Sequence, residues 1–198
     1  MHKENGFLSR LSNLFNLSKK EIPEESIFTP KDLPIAYIDV KDIGVIEAEL
    51  YPHIAPNTVN NFISLSNSNF YNNLTFHRVV KNFVIQGGCP EGTGIGGPGY
   101  TIKGEFNKNK FRNNLKHTEG VLSMARSHSK NSAGSQFFII TKSASHLNGK
   151  YAGFGKVIKG MDLVYQIEDL GTQGKLLVIN SIKVDTKGNI YKEPIKYK

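Results

Sequence analysis

Hydrophobic and polar positions alternate with a period of two over Ile35-Ala36-Tyr37-Ile38-Asp39-Val40 and again over Val45-Ile46-Glu47-Ala48-Glu49-Leu50-Tyr51. Such alternation puts one face of a strand in a core and the other in water, and the break Lys41-Asp42-Ile43-Gly44 between the two runs predicts a hairpin. After Pro56 the period lengthens: Val59, Phe62, Ile63 and Leu65 recur at helical spacing behind a proline suited to a first helical turn. A second helix is predicted from Met161-Asp162 through Leu163, Val164 and Ile167, after Gly160. Six further short runs read as strands, at residues 75–80, 83–86, 121–124, 136–140, 154–157 and 176–184, with glycine-rich turns between them. Eight strands and two helices predict a mainly β fold, a closed eight-stranded antiparallel barrel capped by two α-helices.

Residues 1–34 follow a different pattern. Phe7, Leu8, Leu11, Leu14 and Phe15 share one helix face, which ends at Lys19-Lys20-Glu21 and Pro23. An amphipathic helix and a linker are expected in residues 1–34, packed loosely on the body, lying on a membrane surface or docked on a partner, followed by one domain over residues 35–198. The charges of the first segment cancel, so the excess of 25 Lys+Arg over 17 Asp+Glu, a net +8, sits in residues 35–198. The single cysteine, Cys89, excludes a disulfide scaffold and zinc sites built on paired cysteines. No run approaches the ~20 apolar residues of a membrane span, and no secretory apolar core opens the chain, so a cytoplasmic location is expected.

Several chemistries fail on context. Gly92-Thr93-Gly94-Ile95-Gly96-Gly97 satisfies the dinucleotide-binding glycine pattern but runs into Pro98-Gly99-Tyr100, with no helix start to hold a pyrophosphate. It reads as a surface loop. The six histidines lack metal-ligand spacing, so neither metal nor cofactor is expected. Ser135 leads into a buried strand rather than sitting on a nucleophile elbow. Lys103, Lys108, Lys110, Arg112 and Lys116, interleaved with Phe106 and Phe111, read as solvated loop charge without the aromatic signature of an RNA-binding sheet, and no specific nucleic acid is expected. What remains are aromatic strands carrying isolated polar groups, the composition of an apolar pocket with a few fixed hydrogen-bonding side chains.

Those strands carry ordered motifs: Phe76-His77-Arg78, Phe83 followed by Gln86-Gly87-Gly88, Gly92-Thr93-Gly94, Leu122-Ser123-Met124-Ala125, Gly134-Ser135-Gln136-Phe137-Phe138-Ile139 and Phe154-Gly155-Lys156-Val157. From about Ile35 to Val184 the chain resembles the cyclophilin-type peptidyl-prolyl cis–trans isomerases, whose barrel capped by two helices agrees with the pattern reading. The resemblance implies Arg78 as the catalytic residue with Gln86 as its polar partner. It also implies a proline pocket of Phe83, Val84, Phe138 and Leu147, backbone contacts to an extended peptide from Ala125 and Arg126, and a further polar contact from Gln136. Val84 stands where the family usually has methionine. His146 stands where cyclosporin-sensitive members often have tryptophan, which implies weak cyclosporin binding, and Tyr151 replaces a frequent pocket histidine. The implied partners are proline-containing peptides and unfolded or folding proteins. A non-catalytic proline-peptide binding or chaperone module is the alternative.

Overall fold

A computed structural model of the chain describes residues 32–197; the stripe expected at residues 7–15 lies outside them. The elements in order are β1 (Ile35–Val40), β2 (Gly44–Leu50), α1 (Pro56–Asn67), β3 (Leu74–Thr75), β4 (Arg78–Val80), β5 (Val84–Gly87), β6 (Val121–Met124), β7 (Phe137–Ile140), β8 (Gly153–Lys159), α2 (Met161–Thr172) and β9 (Val178–Asp185). The hairpin and both helices fall where the periodicity puts them. All nine strands join one antiparallel sheet in the order β3-β9-β1-β2-β8-β6-β7-β5-β4.

The expected closed eight-stranded barrel is corrected on two points, and both trace to one segment. The run at residues 75–80 breaks at Phe76-His77 into two strands that lie at opposite ends of the sheet. Leu74 and Thr75 pair with Ile179 and Val178 of β9, and Phe76 N–H still donates to Leu177 at 2.9 Å. Arg78 has by then crossed to Gln86 of β5. The ladder is therefore nine strands long and is not continuous between β3 and β4. A single isolated bridge, Thr75 to Cys89, spans this seam. Side chains must thin out there: a Cβ on Gly87 would stand 3.1 Å from both the Thr75 carbonyl and the Phe76 ring.

The inward positions of the sheet and the apolar face of α1 form one core. Phe62 of α1 meets Phe137 edge-on at 5.5 Å and Phe154 at 5.2 Å, all three fully buried. The N-terminus of α1 has no local side-chain cap, because Ala55 occupies the capping position. Its orphan donors are met from far along the chain. The buried Glu105 carboxylate accepts from Asn57 N–H at 3.0 Å, Thr58 N–H at 2.8 Å and the Thr58 hydroxyl at 2.7 Å. Beyond β9 the chain returns as a strap: the Asn57 amide exchanges two hydrogen bonds with the Ile195 backbone, at 2.7 and 3.1 Å, and Thr101 pairs with Tyr197 at 2.8 and 2.7 Å. Lys196 lies over the Tyr100 ring at 4.7 Å.

Candidate active site

The antiparallel β4–β5 hairpin places Arg78 directly across from Gln86. Arg78 Nη1 donates to Gln86 Oε1 at 3.4 Å, and Gln86 Nε2 donates in turn to Gln136 Oε1 at 3.0 Å. Gln136 then donates to the Gly94 and Gly96 carbonyls, both at 2.9 Å. The polarity of this chain is uniform, each amide accepting on one side and donating on the other, so every link orients the next. The glycine loop that failed as a phosphate cradle is thus an anchor for the site. Cys89 holds the same loop from beneath, its Sγ accepting from Gly94 N–H at 3.2 Å. Burial pushes the Cys89 thiol up, but the backbone N–H groups of Gly94, Glu91, Thr93 and Gly96 together bring it below its usual value.

Beside this relay lies a pocket of about 240 Å³ lined by Arg78, Phe83, Val84, Gln86, Ala125, Arg126, Phe138, Leu147 and Tyr151. Val84, Phe138 and Leu147 are buried side chains of one apolar cluster, against which Phe83, Ala125 and Tyr151 pack. Tyr151 meets the Phe138 ring edge-on at 5.9 Å. Gln136 lines the adjoining groove of about 420 Å³, which shares Gln86, Ala125 and Arg126 with the pocket. His146 does not line the pocket; it stacks on Phe83 at 5.5 Å and supports the rim. The structure therefore brings nine of the eleven expected site residues into one cavity wall, with Gln136 and His146 one contact away.

The Arg126 guanidinium is committed to the protein itself. It donates to the Lys150 carbonyl at 3.2 and 2.9 Å and to the Ser127 carbonyl at 2.9 Å, and it lies 4.5 Å from the Tyr151 ring centre and 5.1 Å from that of Phe106. Its planar fork ties two loops together at the pocket edge.

Two supporting residues escaped the sequence reading. His117, buried, stacks on the outer side of Phe138 at 6.3 Å. Its Nδ1 faces Asn148 Oδ1 at 3.2 Å, an atom that only accepts, so Nδ1 carries the proton and Nε2 accepts from the Ser123 hydroxyl at 3.0 Å. Burial lowers its pKa, while the Asn148 hydrogen bond opposes that shift in part. Glu168 of α2, also buried, accepts from Asn82 N–H at 2.9 Å in the β4–β5 turn and from the Thr141 hydroxyl, and so props the hairpin that carries Arg78 and Gln86. Neither residue belongs to a motif quoted above, and both are flanked by polar residues, Lys116 and Thr118 beside His117 and Asp169 beside Glu168, so the sequence alone gives no sign of their burial.

The sequence profile of the family described as cyclophilin type peptidyl-prolyl cis-trans isomerase/CLD matches residues 35–188. The chain belongs to this family. Among its cyclophilin relatives, peptidyl-prolyl cis-trans isomerase B of Bacillus subtilis is 52% identical over 126 residues, 64% of this chain and 85% of that protein. The peptidyl-prolyl cis-trans isomerase of Helicobacter pylori is 44% identical over 138 residues, 69% of this chain and 78% of that protein. A crystal structure of a Cryptosporidium parvum cyclophilin determined in the presence of the dipeptide Ala-Pro superposes with a TM-score of 0.68 at 35% identity, covering 76% of this chain and 98% of that one. This cyclophilin is a peptidyl-prolyl cis–trans isomerase. Among its described residues, no helix is long and apolar enough to cross a membrane.

Proposed function

We propose that the protein accelerates rotation about X–Pro bonds of extended peptides by a hydrogen bond from Arg78 that forms only as the bond twists. The barrier of ~18–20 kcal/mol comes from C–N double-bond character. In the planar amide the prolyl nitrogen lone pair is delocalised and accepts poorly. In the twisted state it is localised, and a guanidinium placed beside it stabilises that state over the ground state. The single observation that carries this reading is the position of Arg78 at the mouth of an apolar pocket, aligned through Gln86 and Gln136 onto a fixed loop. Phe83, Val84, Phe138 and Leu147 would hold the ring by burial, and the backbone at Ala125 and Arg126, with Gln136, would hold the peptide on either side. The reaction as proposed uses no nucleophile and moves no proton.

Proline-containing segments of unfolded and folding proteins are the proposed substrates, with a cytoplasmic site of action. Cyclosporin binding is proposed to be weak, because an imidazole stacked on Phe83 offers less apolar area than an indole would. A His146→Trp variant should be inhibited at lower cyclosporin concentration than the parent protein; unchanged inhibition would refute that proposal.

The decisive measurement is the cis–trans exchange rate of a short Ala-Pro-Phe peptide by NMR. Removing a hydrogen bond made only in the transition state lowers turnover by roughly 10²–10³-fold, and Arg78→Ala is expected to do so with the native spectrum retained. Arg78→Lys should recover little, since a lysine lacks the planar fork. A variant as fast as the parent protein would overturn the assignment, and no exchange in either would favour a peptide-binding module.

A further inference from the structure

The basic run at residues 103–116 plays no part in the proposed isomerisation, yet two of its members face a second cavity. This cleft, about 800 Å³, opens where the β2–α1 connection, the 112–118 segment and β8 meet. Its floor is apolar, from Ile54, Leu115 and Val121; its rim is cationic, from Arg112, Lys116 and Lys156, with His53 between them. All four rim side chains are exposed, and no acidic residue lines the cleft. The ion pairs among the described residues involve other lysines, so the three rim cations have no carboxylate partner there. Glu49, opposite Lys156 in the β2–β8 register, lies by the Tyr51 hydroxyl at 3.5 Å. An apolar floor with an unneutralised cationic rim fits an acidic segment that also carries apolar side chains. The rim offers no aromatic stacking platform besides one imidazole, which disfavours single-stranded nucleic acid.

The chain contains such a segment. Residues 21–28, Glu21-Ile22-Pro23-Glu24-Glu25-Ser26-Ile27-Phe28, hold three carboxylates, no cation and three large apolar side chains, and lie outside the described residues. The chain enters the sheet beside the cleft: the Pro34 carbonyl accepts from Leu50 N–H at 2.9 Å, three residues before His53. Only β2 separates the start of β1 from β8, so two strand spacings, roughly 10 Å, lie between that entry and Lys156. Asp32 is itself held, its carbonyl accepting from Asn189 Nδ2 at 3.2 Å, and the four extended residues from there back to Phe28 span up to roughly 14 Å. We propose that residues 21–28 dock in this cleft as a tethered acidic strap, the apolar side chains toward the floor and the carboxylates toward the rim. Tethering supplies an effective concentration in the millimolar range, so weak intrinsic affinity suffices, and a free acidic-apolar peptide would have to displace the strap to bind. The cleft is separate from the proline pocket, so this proposal stands apart from the assignment of Arg78.

The test uses the full chain. A nitroxide attached to Ser26→Cys is read by the broadening of backbone amide signals in NMR; Cys89, at 1% exposure, is protected from labelling. Broadening centred on residues 53, 54, 112–118 and 156 is expected, lost in Arg112→Glu/Lys116→Glu/Lys156→Glu, whose isomerase rate on a short peptide should match the parent protein. It should also be lost in Glu21→Lys/Glu24→Lys/Glu25→Lys, which leaves the barrel untouched and keeps the test valid if the first variant misfolds. Uniform broadening, or broadening centred on the proline pocket, would overturn the proposal. So would broadening seen only between labelled and unlabelled molecules in an equal mixture, which would make a second copy the occupant.

Discussion

Gln136 gives both amide hydrogens to the Gly94 and Gly96 carbonyls while its oxygen receives Gln86, so its contribution depends on having a donor and an acceptor at once. Gln136→Glu keeps the shape and loses the donors. A net hydrogen bond is worth about 1 kcal/mol, and losing two should lower kcat/KM by up to roughly 30-fold with the fold intact. Peptide kinetics read this directly, and a Gln136→Glu variant with parental kcat/KM would show that the glycine loop does not orient Gln86. His117 makes a different prediction, of pH dependence. Its folded pKa lies below the usual 6.5, so below that value the unfolded chain takes up a proton that the folded one resists. The stability it contributes is complete above about pH 6.5 and is lost as pH falls through that value toward the lower folded pKa. Urea midpoints measured from pH 7.5 to 5 should decline in the parent protein and decline less in His117→Gln; parallel slopes would refute the argument.

Between elements, the strut from α2 to the β4–β5 turn carries the same logic. Glu168→Ala would leave the buried Thr141 hydroxyl and the Asn82 N–H without their acceptor, a loss of about 1–3 kcal/mol. Lys81 is half exposed and pairs with the exposed Asp169 and, at 3.6 Å, with the buried Glu168, whose hydrogen bonds come from Asn82 and Thr141; it should be replaceable by alanine with little change in melting temperature. Calorimetry on the two variants checks both statements. Sequence legibility divided along the same line. β1, β2 and both helices were readable because each presents a full period of apolar side chains to one core. The pocket wall was readable because Arg78, Gln86 and Phe138 sit within motifs. The break at Phe76-His77 was not readable, since strand pattern continues on both sides of it and only the pairing partners change, from β9 to β5. His117 and Glu168 were hidden for a related reason: each is held in part by a residue far along the chain, Asn148 at 31 residues and Asn82 at 86, and no local spacing encodes those pairings.

At the scale of the molecule, residues 189–197 form a return strap that lies beyond the matched family profile and touches α1 and Thr101 rather than the proline pocket. Truncation after Gly188 should lower the melting temperature and speed hydrogen exchange at the first turn of α1, with peptide isomerisation unchanged; slowed isomerisation would mean that the strap communicates with the site. The strap also bears on how the protein is made. Ile195 follows Asn57 by 138 residues, and Glu105 follows it by 48. At roughly 5–20 residues per second of synthesis, the start of α1 would wait on the order of ten seconds between its first latch and its second. During that interval the first turn of α1 in a nascent chain would be held by the Glu105 carboxylate without the Ile195 backbone, so an isomerase would itself pass through a stage at which another chaperone could still engage it.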